Sequence, residues 1–171
     1  MPRSAAWYLL LVALVAGERL LELVVSRRHE RALRARGAVE AGAAHYPVMV
    51  ALHTLLLLGA AVEVVLLRRP FLPWLGWPML ALVGATMTLR YWVVATLGER
   101  WTTRVLVLPG VPLVARGPFR YLRHPNYLAV AVEAFSLPLV HTAWVTALVC
   151  GLLNLGVPAL RIRVENGALA R

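Results

Sequence analysis

No lysine and no aspartate occur in this chain of 171 residues, so every base is an arginine and every acid a glutamate. Cysteine is nearly missing too. Cys150 stands alone in an apolar run, which excludes an internal disulfide framework and any multi-cysteine metal or iron–sulfur site and leaves its thiol a packing group. Charge of either sign is scarce, at 15% of positions against 60% hydrophobic, and the mean hydropathy is +0.70. So apolar a chain has nowhere to hide in water, which excludes disorder and an ordinary soluble domain. The length allows one domain, and an integral membrane protein remains.

The scarce charge is lopsided, with 18 bases against 8 acids and a formal net charge of +10. Such an excess can serve nucleic acid. Here it sits between apolar runs near the length of a bilayer crossing, with no basic domain and no zinc-ligand pattern, so membrane topology explains it and nucleic acid is not an expected partner.

Crossing about 30 Å of hydrocarbon takes roughly 20 apolar residues as a helix, because every backbone polar group must be satisfied within the segment. Runs near that length cover residues 5–25, 47–67 and 74–97. Residues 127–160 are too long for one crossing and short for two, with Pro138, His141 and Thr142 as a break, which predicts a tight helical hairpin. The expected fold is all-α, with about five transmembrane helices. Glu18, Arg19 and Glu22 interrupt the first run, which argues against a cleaved signal peptide.

Arginines set the orientation, because cytoplasmic loops carry the positive excess. Arg27, Arg28, Arg31, Arg34 and Arg36 follow the first run, Arg100, Arg104, Arg116, Arg120 and Arg123 follow the third, and Arg161, Arg163 and Arg171 close the chain. The other side has Arg3, Arg68 and Arg69. The N-terminus is therefore expected outside, with the long loop facing the cytoplasm.

That loop, residues 98–126, is too rich in proline, glycine and aromatics to be a plain tether. Turn signals at Pro109, Gly110 and Pro112, then at Gly117 and Pro118, predict a structured strap ending in Arg123-His124-Pro125-Asn126-Tyr127 as the fourth helix begins. A helix start offers unpaired N–H donors and partial positive charge, so His124, Asn126 and Tyr127 stand where a polar ligand can be held, and Tyr127 can stack on a flat ring. A rigid loop whose Pro125 starts a helix, with Asn126 as a nearby cap, explains the same residues. Farther on, Arg161 and Glu165 share a helix face, either as a surface ion pair or as a second edge of the same pocket. Charges inside the apolar runs are costly unless paired or functional. Glu18 and Glu22 are expected to pair with Arg19, Arg90 or the strap's arginines; Glu133 is a candidate for facing a reaction cavity; His53 and Glu63 read as packing.

The segment "GPFRYLRHPNYLAV" followed by "RIRVEN" resembles the isoprenylcysteine carboxyl methyltransferase family of integral membrane enzymes, over roughly residues 74–171. Within the N-terminal helices, residues 1–73, the segment "ERLLELVVSRRHERALRARGAVEAGAAHYPVMVALH" looks like a bacterial branch of that family associated with long-chain polyketide phenols or pyrones. The resemblance implies one transmembrane methyltransferase domain in a bacterial plasma membrane, binding S-adenosylmethionine on the cytoplasmic face and taking a lipophilic acceptor sideways from the surrounding lipids, with no metal. His124, Pro125, Asn126 and Tyr127 match the cofactor box; Val111, Pro112, Leu113 and Val114 with Phe119 match the strap that wraps the cofactor; Glu165 matches a cofactor-binding acid. Arg161 matches the substrate-contacting arginine that would hold an anionic acceptor oxygen in line. A carboxylate or acidic enol needs no base, whereas a neutral phenol wants one nearby, for which Glu133 is the candidate.

Ala129, Phe119 and Asn166 depart from the family's usual glycine, tyrosine and second glutamate, and the last removes a charge beside Glu165. Two other readings stand beside this one. Membrane sterol reductases use a similar His-Pro-Asn-Tyr box for NADPH, although this chain is short for them. A non-catalytic membrane subunit or small transporter would bind neither cofactor.

Overall fold

The computed structural model describes residues 2–169; Arg171 and the side chain of Asn166 lie outside what it describes. Five helices follow one another: α1 Arg3–Ala35, α2 His45–Leu66, α3 Pro73–Leu97, α4 Pro125–Leu139 and α5 Trp144–Leu169. Among the described residues the fold is all-α apart from two three-residue strands.

Helix α1 runs ten residues past its apolar run, because residues 26–35 are mostly strong helix formers without glycine or proline. It stops where Gly37 takes φ +87° and the N–H groups of Gly37 and Ala38 return to the carbonyls of Arg34 and Leu33, both at 3.0 Å. Arg27, Arg28, Arg31 and Arg34 therefore ride on a helical extension, where the sequence suggested a loop. Prolines open α3 and α4 at the first position, where the missing N–H costs nothing.

Among the described residues three helices are long and apolar enough to cross a membrane: α2, α3 and α5. Helix α1 has the length but carries Glu18, Arg19 and Glu22. The expected hairpin forms, with its break after Leu139, yet its first arm α4 has only 15 residues, about 22 Å at 1.5 Å per residue.

Helices α3 and α4, α4 and α5, and α2 and α5 make the main contacts, while α1 leans more lightly on α2. The core gathers Tyr8, Val12 and Val15 of α1, Ala60 and Val64 of α2, Val83 of α3, and Leu137 and Ala143 around the α4–α5 turn. Small residues allow close approach: a Cβ on Gly151 of α5 would come within 2.6 Å of the Phe135 ring. At this end the Tyr8 hydroxyl donates to the Leu137 carbonyl at 3.2 Å, and Trp7, Trp74 and Trp77 stand exposed, as rings at a lipid–water boundary do. The opposite end collects the extension of α1, the strap and the end of α5. There β1 (Val39–Ala41) pairs antiparallel with β2 (Val105–Val107), Glu40 opposite Leu106, tying the α1–α2 connection to the strap.

Candidate active site

The strap is folded, and α1 anchors it. Ser26, fully buried, accepts the Thr103 N–H at 2.9 Å, lies 2.9 Å from the Thr103 hydroxyl and donates to Glu30 at 2.7 Å. His29 Nδ1 reaches the carbonyl of buried Trp101 at 2.8 Å. Arg104 bonds Glu40 at 2.6 Å and lies 4.1 Å over the Tyr46 ring. Partial burial works against a charged Glu40, but hydrogen bonds from Arg104 and Arg34 win and hold its carboxyl below the usual carboxylate range.

The turn into α4 meets the end of α5 across this strap. The Tyr127 hydroxyl donates to Glu165 Oε2 at 2.9 Å and receives a 3.4 Å contact from Arg161 Nε. His124 stacks on Tyr127 with centroids 5.6 Å apart, its Nδ1 3.7 Å from Glu165 Oε2. Arg161 is 7% exposed and is locked further by the Thr103 carbonyl at 2.7 Å and Met49 Sδ at 2.8 Å. The two boxes thus meet in one cluster, with strap, α2, α4 and α5 each supplying an atom.

This cluster opens on a cavity of about 930 Å³. Val111, Pro112, Leu113, Val114, Phe119, His124, Pro125, Asn126, Tyr127, Arg161 and Glu165 all line it, so every expected cofactor residue and the expected substrate arginine face one space. Ala16, Leu20 and Leu23 of α1 with Leu57 and Leu58 of α2 give it an apolar flank.

Glu133 is not among the lining residues. Its carboxylate takes a two-oxygen grip from Arg19, at 2.6 and 2.8 Å, and is 6% exposed. That makes it the buried counter-ion of α1, in place of the cavity base the sequence suggested. Arg19 also bonds Glu22 at 2.9 Å and lies 2.9 Å from a Glu18 oxygen as an ion pair without hydrogen-bond geometry, and Glu22 is held again by Arg90 of α3. The expected pairing of the intramembrane charges is therefore what forms. Arg90 carries it to the cavity, donating to Asn126 Oδ1 at 3.2 Å.

Several wall residues carried no motif: Met49, His53, Trp101, Thr103 and Asn154. The signal for His53 was a polar ring one turn from Met49 in an otherwise apolar run. Glu63, which read as packing, instead accepts the N–H groups of Val145 and Thr146 at 3.1 and 2.7 Å and the Thr146 hydroxyl at 2.8 Å, with Arg69 at 2.7 Å behind it. It caps the start of α5 from a neighbouring helix.

The fold and the site define a membrane-type helical bundle whose folded strap closes over a cavity. The profile of the isoprenylcysteine carboxyl methyltransferase family matches residues 79–171, and the chain belongs to that family. It is similar, at 37% identity over 94% of its own length and 95% of the relative's, to the uncharacterized protein YpbQ of Bacillus subtilis. An uncharacterized protein of Haemophilus influenzae is 30% identical, with 92% of each chain covered. No solved structure matches.

Proposed function

We propose that the protein is an S-adenosylmethionine-dependent methyltransferase acting on an oxygen of a lipophilic small molecule: a carboxylate, enol or phenol. One observation carries the reading: the strap, the His124–Tyr127 turn and the Arg161–Glu165 tail face a single cavity whose other flank is hydrocarbon. The donor set fits the cofactor. Glu165 offers a carboxylate to an amine or ribose hydroxyl, Arg100 and Arg123 stand on the wall for a carboxylate, and the stacked His124 and Tyr127 rings offer a flat platform. A volume of about 930 Å³ lies at the upper end of the usual range for small-molecule sites.

When bound, S-adenosylmethionine supplies a methyl group already activated on a sulfonium. The chain's own residues then have to align and exclude water, since proximity accounts for much of such a displacement. Arg161, held rigid by Thr103 and Tyr127, presents positive charge to the acceptor oxygen. The apolar side chains of α1 and α2 take the acceptor's tail from the surrounding lipid. The arginine-rich end, with strap and site, faces the cytoplasm of a bacterial plasma membrane and the N-terminus faces outward, in keeping with the positive excess at that end.

The test has two parts. Calorimetric titration of the purified protein with S-adenosylmethionine and with NADPH separates a methyltransferase from a reductase, and binding of neither supports a non-catalytic subunit. Mass spectrometry of lipid extracts from cells with and without the protein then seeks a species heavier by one methylene. Binding of NADPH alone, or unchanged lipids despite cofactor binding, overturns the reading.

A further inference from the structure

We infer that His53 of α2 is the proton acceptor for a neutral hydroxyl acceptor, a phenol or enol, bound in this cavity. The inference rests on the methyltransferase reading above and narrows its substrate class. His53 lines the cavity one helical turn deeper than Met49, whose sulfur touches Arg161, so its ring follows the site's arginine along the same stripe of α2. Its Nδ1 lies 3.1 Å from the Met49 carbonyl. A carbonyl only accepts, so Nδ1 carries the hydrogen, and in the neutral ring Nε2 is left with its lone pair.

Among the described residues Nε2 has no hydrogen-bond partner. The charges that bear on the ring are Arg90 of α3, Arg19 of α1 and Glu133 of α4, with Arg161 of α5 a turn above by way of Met49. Glu133, the acid among them, is engaged by Arg19, and Glu22, which also lines the cavity, by Arg90 and Arg19. Among the described residues His53 is thereby a free base on the α2 side of the wall, between Arg161 and the leucines of the flank.

The step balances without a further reactant. The acceptor O–H bond breaks, its electron pair stays on oxygen, and the proton forms an N–H bond at Nε2. The oxygen pair becomes the new C–O bond as the C–S pair stays on sulfur, leaving a neutral thioether, and the imidazolium returns its proton to water at the cavity mouth. A carboxylate acceptor, already ionised, does not use His53.

A long-chain alkyl nitrophenol, whose ionised form absorbs in the visible, tests this without cofactor. In detergent solution below the phenol's own midpoint, the wild-type protein is expected to raise the ionised fraction of bound phenol, and His53→Gln to lower that fraction to what the charge of Arg161 alone sustains. Gln keeps a donor for the Met49 carbonyl, and retained S-adenosylmethionine binding shows that the variant is folded; His53→Asn is the second variant. With cofactor, methyl transfer to the phenol should fall about 100-fold, as for loss of a general base, and transfer to a long-chain carboxylate should stay within about twofold, the ordinary effect of a change that leaves positioning intact. Ionisation undiminished in both variants, or equal losses for phenol and carboxylate, overturns the inference. A wild-type protein that ionises the phenol but binds no S-adenosylmethionine sinks the methyltransferase reading and leaves the role of His53 standing.

Discussion

Glu63 offers the most direct check on how the helices are held, because one side chain there serves four partners. In Glu63→Ala the Thr146 N–H and hydroxyl lose their acceptor in a buried setting, the Val145 N–H loses its own, and Arg69 loses its carboxylate. A lost helix cap costs about 1 kcal/mol, and stranded buried donors about 1–3 kcal/mol more. Arg69 is a quarter exposed and turns outward at little cost. The sum is about 3 kcal/mol, which at roughly 2–4 °C per kcal/mol lowers the apparent melting midpoint by about 6–12 °C. Glu63→Gln keeps one acceptor oxygen and should lose about half as much. Thermal unfolding in detergent, followed by tryptophan fluorescence, reads both. S-adenosylmethionine affinity should stay unchanged, since the cap lies at the end of the bundle away from the pocket. A drop below about 2 °C in Glu63→Ala, less than one lost cap is worth, would falsify the assignment.

Tyr127→Phe and Glu165→Gln should each weaken S-adenosylmethionine binding by roughly tenfold or more, the scale of a charge-assisted hydrogen bond, and the double variant should be little worse than either, because hydroxyl and carboxylate act as one unit; calorimetry measures all three. Arg90→Met strips Asn126 of its partner and leaves Glu22 to Arg19, so stability should fall by about 3 kcal/mol and cofactor affinity with it, read by melting and titration. Glu133→Gln breaks the grip of Arg19 and should lower the melting midpoint while leaving the pH profile of methyl transfer in place; a displaced profile would restore Glu133 as a base. Glu40 is held below its ordinary 4.5, so its ion pairs support the folded strap fully above that value and are lost as the pH falls through the lower folded midpoint. Hydrogen exchange at Val105–Val107, corrected for intrinsic rates, should therefore accelerate in acid for the wild type and already at neutral pH for Glu40→Gln.

Motif and periodicity carried different parts of this molecule. The runs at 47–67 and 74–97 mark α2 and α3 within a few residues, because uninterrupted apolar sequence leaves the backbone no other solution in lipid. The end of α1 was hidden, since leaving the apolar run does not end a helix when arginine, alanine and leucine continue it to Gly37. In the site, His124 through Tyr127 and Arg161 with Glu165 were legible as two boxes on one predicted face. Their meeting partners were not. Thr103 and Met49 grip Arg161 through a backbone carbonyl and a thioether, groups that nearly any sequence contains. Glu133 misled for a physical reason: a carboxylate two turns into a helix looks the same in sequence whether it faces a cavity or an arginine on another helix. Only the approach of α1 decides between them.

The apolar flank of the cavity comes from α1 and α2, which lie outside residues 79–171, where the family resemblance is concentrated. On the proposed reading, donor recognition and acceptor shape are thus written in different stretches of one chain. On that reading, changes at Leu20, Leu23, Leu57 or Leu58 would alter which acceptor fits and leave the residues at His124–Tyr127 and Glu165 alone. The two stretches are stitched together by the three-residue pairing of Val39–Ala41 with Val105–Val107, which joins the apolar helices to the strap in one register.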